Sequence, residues 1–305
     1  MKALQYKQFG GLEVLALNEV PEPHTRAREV RIRVTAVGLN PMDWLIMSNE
    51  QIAQSFGVKL PQIFAYDFAG VIDEVGAEVT DYKIGERVFG TTYNGAAAEY
   101  ILISTDLGER NRIVHTPEQI SDETAAGLGV AGWTAAVALR KANVTAGDKL
   151  LIAGAAGGVG VLAVQLAQLA GAKVIGTASN RTADFLRSLG AEQVAYGEGL
   201  IERVRDKNIT AVIDLFSHET LEVGLALGVS PRKMSTIIMF PEPPAHIARA
   251  TGGEGTDEDM AKILAALVDG KLTLPIAASY PLSDYQKAID FQRSRHANGK
   301  VVISF

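Results

Sequence analysis

The tightest constraint on this chain is the stretch from Lys149 to Ala172, K-L-L-I-A-G-A-A-G-G-V-G-V-L-A-V-Q-L-A-Q-L-A-G-A. An apolar strand, Leu150 to Ala153, meets a glycine-rich turn and then a helix rich in Ala, Leu and Val, which is the order of a dinucleotide-binding strand-turn-helix. Gly157 and Gly158 are expected to take backbone conformations closed to side chains and to bring the main chain close to a pyrophosphate. Gly160 leaves room for the helix to pack on its strand, and the helix start offers unpaired N–H groups and a positive dipole end to phosphate. Ala155 stands where the G-x-G-x-x-G pattern has its first glycine, so the turn reads A-x-G-x-x-G. The 23 residues from Leu150 to Ala172 carry no charge, long enough for a membrane span, but five of them are glycines and no second such run exists.

The next unit supports the nucleotide reading. Lys173 to Thr177 is a short strand, Asn180 can cap a helix reaching about Leu189, and Gly190 ends it. An NAD site usually places Asp or Glu after this strand for the ribose 2′-hydroxyl, whereas here the strand ends T-A-S-N-R. Arg181 and the Ser179 hydroxyl suit a 2′-phosphate instead, since a dianion needs a cation and donors. NADPH is therefore the favoured cofactor. The plainer alternative is that Ser179 and Asn180 cap the helix while Arg181 is solvated.

The flanks differ in character. Residues 1 to 120 are β-rich: Val30 to Val37 alternates apolar and polar residues, Phe68 to Val75 runs into Gly76, and turns at Gly85 and Asn94-Gly95 precede Tyr100 to Ile103. Short strands between regular turns predict a barrel-like unit. From Ser121, which can cap a helix opening with Asp122 and Glu123, the period becomes helical, and a second helix is expected over about Trp133 to Lys141. Strands then alternate with helices through Ser235 to Met239, which implies a parallel sheet covered on both faces. A Pro/Gly-rich loop spans 241–256, Thr256 opens an amphipathic helix, Ser283 and Gln286 form a capping-box pair, and the chain closes on Val301 to Phe305. This gives a β-rich domain at 1–120, to which 271–305 returns, and a doubly wound α/β domain at 121–270.

At 305 residues and 47% hydrophobic, the chain can bury the cores of two domains. A net charge of -6 argues against a nucleic-acid groove. Zero cysteines remove disulfides, thiolate nucleophiles and cysteine-containing zinc sites together. The first ten residues hold no apolar signal core, so a soluble cytoplasmic protein with no membrane partner is expected.

Six short motifs follow one another along the chain: N-P-M-D (Asn40 to Asp43), D-F-A-G-V-I-D-E-V-G (Asp67 to Gly76), K-I-G-E-R-V-F-G (Lys83 to Gly90), G-W-T-A (Gly132 to Ala135), A-A-G-G-V-G (Ala155 to Gly160) and G-K-V-V (Gly299 to Val302). In this order they resemble the medium-chain dehydrogenase/reductase superfamily, in its zinc-free, zeta-crystallin-like quinone oxidoreductase branch. The resemblance implies an α/β fold, a Rossmann doubly wound parallel sheet with a GroES-like β-barrel domain. Positions matching the Cys, His and Cys zinc ligands of metal-dependent relatives are Asn40, Tyr66 and a residue near Val130, none of which can hold the ion.

Chemistry without a metal is hydride delivery from NADPH to a quinone or an α,β-unsaturated carbonyl compound, which spreads the incoming charge onto oxygen. The resemblance makes Asn40 and Tyr66 candidates to orient the nicotinamide and to donate to the product. Asn40 can also be read as a turn residue before Pro41, and Tyr66 as a half-buried aromatic with a wet tip. Thr134 is implied near the nicotinamide half, Ala156, Gly157, Gly158 and Val159 at the pyrophosphate, and Ser179, Arg181 and Tyr196 at the adenosine 2′-phosphate. Two departures stand out: Ala65 occupies a position that is usually Gly, and a tyrosine frequent after N-x-x-D is missing. Trp44, Ile46, Met47, Phe56 and Phe240 could line an apolar pocket or simply be core. An NADPH-binding sensor or structural protein with little turnover is the alternative function. A short-chain dehydrogenase is disfavoured, because no Tyr has Lys four residues later. A homodimer is implied, paired through the edge near Ser235 to Met239.

Overall fold

Alternating residues in the first hundred positions become strands. In this computed structural model, which describes residues 1–106, 111–239, 241–244 and 246–305, they are β1 (Lys2–Tyr6), β2 (Leu15–Glu19) and β3 (Glu29–Gly38). Two short helices follow, α1 (Pro41–Ser48) and α2 (Glu50–Ser55). Then come β4 (Gln62–Ile63), β5 (Asp67–Val75), β6 (Arg87–Thr92), β7 (Tyr100–Ser104) and β8 (Asn111–His115). Helix α3 (Asp122–Lys141) is one continuous element where the sequence suggested two. Ser121 Oγ accepts the Thr124 N–H at 3.2 Å, as a cap should. Glycines inside α3 serve close packing: a Cβ at Gly129 would stand 2.4 Å from Asp67 Oδ1.

The alternating part that follows forms β9 (Lys149–Ala153), α4 (Gly158–Leu169), β10 (Lys173–Thr177), α5 (Ala183–Ser188), β11 (Glu192–Val194) and α6 (Leu200–Val204). It continues with β12 (Ala211–Asp214), α7 (Glu219–Ala226), β13 (Met234–Thr236), β14 (Ala248–Arg249) and α8 (Asp257–Val268). The strands pair in the order β11-β10-β9-β12-β13-β14, all parallel. That is the 3-2-1-4-5-6 order of a Rossmann sheet, which reverses direction between β9 and β12 and opens a crevice at the carboxyl ends of those strands. Leu150 to Ala153 are buried, as a strand covered on both faces requires. The uncharged run from Leu150 thus divides into strand, turn and helix, and among the described residues no helix is long and apolar enough to cross a membrane.

The last elements are β15 (Ile276–Pro281), α9 (Tyr285–Arg293) and β16 (Lys300–Ser304). β16 pairs antiparallel with β3, extending the sheet β15-β16-β3-β5-β6-β8, while β1 joins β2 and β4 in a smaller sheet. The chain accordingly forms two units, Met1–Val130 with Ile276–Phe305, and Ala131–Pro275. Val30, Ile32, Phe68, Ile72, Ile103, Val301 and Ile303 are core of the first, and Leu151, Ile175, Val212 and Leu221 of the second.

Three local expectations fail. The predicted capping box at Ser283 is absent, because a 3-10 turn over Leu282–Asp284 makes Asp284 the N-cap of α9. Asn180 begins a 3-10 turn and is not a helix cap. The edge at Met234–Thr236 is not free either, because β14, inside the Pro/Gly-rich loop, pairs Ala248 with Ser235 and Arg249 with Thr236. An unpaired β13 edge therefore gives no reason for dimerisation.

Candidate functional site

In the second unit the chemistry-bearing residues gather at the carboxyl ends of β9 to β12. Gly154, directly after β9, adopts the left-handed conformation at φ 68°, whereas Gly157 is extended at φ -79° and Gly158 is already the first residue of α4. The permissive glycine of the turn is thus Gly154, earlier than the sequence suggested. Gly160 behaves as expected, since a Cβ there would meet the Gly154 carbonyl oxygen at 2.2 Å. The methyl of Ala155 is accommodated from the facing strand, where Gly176 leaves a gap: a Cβ at 176 would stand 2.6 Å from it. Ala156, Gly157, Gly158 and Val159 are half-exposed, and the start of α4 has no side-chain cap, so its N–H groups are free to meet an anion.

After β10, the Ser179 hydroxyl makes no capping bond, and Arg181 is exposed with no ion pair among the described residues. Gln193 Nε2 holds this loop just before Ser179, donating to the Ala178 carbonyl at 2.9 Å. Tyr196 follows β11 and is 54% exposed, while Phe216, a residue the sequence reading passed over, follows β12 and is 43% exposed. Their ring centroids lie 6.4 Å apart. Both loops are braced. The Arg203 guanidinium donates to the carbonyls of Ala195, Glu198 and Gly197 at 3.0, 2.9 and 2.9 Å, and the buried Asp214 carboxylate accepts the N–H groups of Phe216 and Ser217 at 2.8 and 2.9 Å. Thr134 is buried within α3.

Asn40 and Tyr66 belong to the first unit. Asn40 caps α1 ahead of Pro41, and its N–H donates to Asp43 Oδ2 at 2.7 Å. Its amide is committed at both ends: Oδ1 accepts from Lys300 Nζ at 2.7 Å, and Nδ2 donates to Asp67 Oδ2 at 2.8 Å. Lys300 Nζ also donates to the Leu39 carbonyl at 3.0 Å and lies 3.5 Å from Asp67 Oδ2, whose other oxygen accepts the Val130 N–H at 2.8 Å. None of Asn40, Asp43, Asp67 and Lys300 is more than 4% exposed. Burial raises both carboxyls above the usual carboxylate range and pulls the ammonium down, while Lys300, Asn40 and Val130 oppose the shift at Asp67. Asp43, Asp67 and Lys300 stand in the N-P-M-D, D-F-A-G and G-K-V-V motifs, so the sequence marked the positions without showing their union.

Tyr66 is buried in an apolar patch with Ile46, Ile52 and Ala53, its ring centroid 5.5 Å from Tyr93. Burial, with Tyr6 and Asp43 nearby, pushes its hydroxyl far above the ordinary tyrosine range, and burial likewise pushes Tyr6 up to about 12. Of the possible pocket residues, Ile46 and Met47 are core, Trp44 Nε1 donates to Gln292 Oε1 at 2.8 Å, and Phe56 stacks on Tyr93 at 5.8 Å. Phe240 lies outside the described residues.

Residues 26–146 match the family described as "Alcohol dehydrogenase GroES-like domain", and 158–228 the one described as "Zinc-binding dehydrogenase". The chain is 32% identical to a quinone oxidoreductase of Sus scrofa, over 99% of this chain and 97% of that protein. It belongs to the quinone oxidoreductase family of medium-chain dehydrogenases. Another relative, the NADPH-dependent alkenal/one oxidoreductase, chloroplastic, of Arabidopsis thaliana, is 30% identical over 99% of this chain and 79% of its own. The structure of the quinone oxidoreductase from Coxiella burnetii superposes with a TM-score of 0.80 at 28% identity, covering 100% of this chain and 99% of that one. As a quinone oxidoreductase family member the protein is an oxidoreductase enzyme of an NAD(P)-binding family, and the half-exposed turn over the start of α4 fits a dinucleotide pyrophosphate. The zinc-binding description of one matched family does not carry a Cys-His-Cys site into this chain, which has no cysteine to build it. Among the described residues no three His, Cys, Asp or Glu side chains are grouped to hold a metal.

Proposed function

We propose that this enzyme reduces quinones or α,β-unsaturated carbonyl compounds with NADPH and without a metal. The observation that carries the cofactor choice is the exposed, unpaired Arg181 beside an uncapped Ser179 hydroxyl, where an NAD site would hold a carboxylate. NADPH, when bound, supplies hydride. Ala156, Gly157, Gly158 and Val159 would receive its pyrophosphate, Thr134 its nicotinamide half, and Ser179, Arg181 and Tyr196 the 2′-phosphate end. Phe216, paired with Tyr196, would add a second apolar face there. A conjugated acceptor needs only one or two hydrogen-bond donors at its oxygen; Tyr66 is the candidate for that role, and Asn40, whose amide is taken by Lys300 and Asp67, would serve by holding that cluster in place. Lys300 on Asn40 Oδ1 polarises the amide and makes Nδ2 a stronger donor to Asp67 Oδ2.

Steady-state NADPH oxidation with chelator present, against a panel of quinones and enones, tests this reading. Turnover on either class supports it; tight NADPH binding without turnover moves the function to a sensor or structural role. Arg181→Ala should raise the Kd for NADPH by at least about tenfold, the loss of one charge-assisted pair, and leave NADH nearly unchanged. Equal losses would remove the 2′-phosphate assignment. A homodimer, tested by light scattering, would have to use a surface other than the covered β13 edge.

A further inference from the structure

Tyr66 is buried among Ile46, Ile52 and Ala53, aliphatic side chains that give a phenol ring little preferred direction. An aromatic neighbour does give one, because the ring quadrupole favours tilted and offset arrangements. Tyr93 is such a neighbour: its ring centroid lies 5.5 Å from that of Tyr66, with the two planes inclined at 43°. Phe56, the C-cap of α2, stacks on Tyr93 in turn, at 5.8 Å and 17°. The half-buried Tyr93 is thus the ring that joins the other two.

A ring directs its neighbour only if it is itself fixed. Tyr93 sits in the Tyr93-Asn94-Gly95 turn that follows β6, and the main chain there is tied down on every side. The Thr92 N–H donates to the Tyr66 carbonyl at 2.9 Å, which sets the two tyrosines in one frame. Gln62 Nε2, from β4, donates to the Tyr93 carbonyl at 3.0 Å, and the Asn94 N–H donates to Thr92 Oγ1 at 3.2 Å. Gly95, at φ 93°, closes the turn against β4, where a Cβ would stand 2.1 Å from the Ile63 carbonyl oxygen.

We propose that Tyr93 is a positioning residue of the reduction: its ring, backed by Phe56, holds the Tyr66 phenol in the orientation from which it donates to the product oxygen. This rests on the reading of Tyr66 as that donor and adds the residue that aims it. Tyr93 acts through Tyr66 and not on the acceptor. A donor misplaced by about 1 Å costs on the order of a hundredfold in rate. Loss of the Tyr93 ring must therefore appear in the chemical step, while acceptor and cofactor binding stay as they were.

The test measures NADPH oxidation by quinones and enones in Tyr93→Leu, Tyr93→Phe, Tyr66→Phe and the double variant Tyr66→Phe/Tyr93→Leu. Tyr93→Leu should lower kcat at least about tenfold with KM for the acceptor and Kd for NADPH unchanged, and Tyr93→Phe, which keeps the ring, should restore most of it. In the Tyr66→Phe background Tyr93→Leu should cost nothing further, because the group it aims is gone. Aromatic NMR should show the Tyr66 ring flipping at least about tenfold faster in Tyr93→Leu. Phe56→Leu should move kcat and flip rate in the same directions, and serves if Tyr93→Leu folds poorly. A raised KM at unchanged kcat would mean that Tyr93 holds the acceptor itself, and fully additive losses would mean that it acts independently of Tyr66; either overturns the proposal. A wild-type kcat in Tyr66→Phe, or a wild type that turns over neither class, removes the donor reading and the positioning role with it. An unaltered Tyr66 flip rate in Tyr93→Leu removes the positioning role alone.

Discussion

A left-handed backbone costs a residue with a Cβ about 1–2 kcal/mol, and Ala65 adopts it at φ 60°, one residue before Tyr66. The turn is fixed by the Ala96 N–H, which donates to the Ala65 carbonyl at 2.9 Å, so the strain falls where Tyr66 is aimed. The glycine that the family resemblance implies here would have a physical reason in that angle. Ala65→Gly should relieve the strain, offset by roughly 0.5–1 kcal/mol of extra unfolded-state entropy, for a net gain of about 0.5–1 kcal/mol. Calorimetry would register a higher Tm; a lower one would show that the conformation is unstrained. Gly160 and Gly157 make a sharper pair. Gly160→Ala drives a Cβ to 2.2 Å from the Gly154 carbonyl oxygen, a backbone atom, and should cost about 1–3 kcal/mol together with most NADPH affinity. Gly157→Ala, at φ -79° and 3.4 Å from the same oxygen, should fold nearly as well as the parent in urea titrations.

Elements were legible where one period dominates. Lys173 to Thr177 emerges as a strand of the expected extent, and the uncapped start of α4 follows from its glycines. Pairings set by distant side chains were not. Within α3 the Val130 N–H donates to Asp67, a side chain 63 positions away, and β14 is two residues paired to the edge of β13. The Asn40–Asp67–Lys300 union joins residues 27 and 260 positions apart, a separation no local pattern carries. Phe216 gave no signal because its exposure, not its type, distinguishes it. A second hidden joint lies just before β9. Asp148 accepts from Lys233 Nζ, the Thr145 N–H and Thr210 Oγ1 at 2.7, 2.7 and 2.8 Å, tying the entries to β9, β12 and β13. Although burial pushes its carboxyl up, these donors pull it to about 2. Asp148→Asn should therefore lower the stability to urea at neutral pH by about 2 kcal/mol, while NADPH affinity, proposed to be set at the opposite end of the strands, should hold.

Across the whole chain two buried aspartates, one in each unit, should contribute to the pH dependence of stability with opposite signs. An unfolded aspartate titrates near about 3.9. Asp148, in the second unit, has a folded value of about 2, so the folded state holds its charge more easily than the unfolded one. Its stabilisation is complete above about pH 4 and is lost as pH falls toward 2. Asp43, in the first unit, is shifted upward by burial, so above about pH 4 the folded state holds a proton that the unfolded state has released. Stability must then fall as pH rises, until the folded carboxyl itself ionises. The sequence holds two tryptophans, Trp44 in the first unit and Trp133 in the second, which makes the prediction readable. Urea titrations followed by fluorescence in Trp133→Phe should show Trp44 losing its native signal at lower urea as pH rises from 5 to 8. In Trp44→Phe, Trp133 should do so as pH falls from 5 to 3. Asp43→Asn should flatten the first slope and Asp148→Asn the second. An unchanged first slope in Asp43→Asn would mean that Asp43 is charged in the folded protein, and the buried ammonium would then be balancing two carboxylates at once.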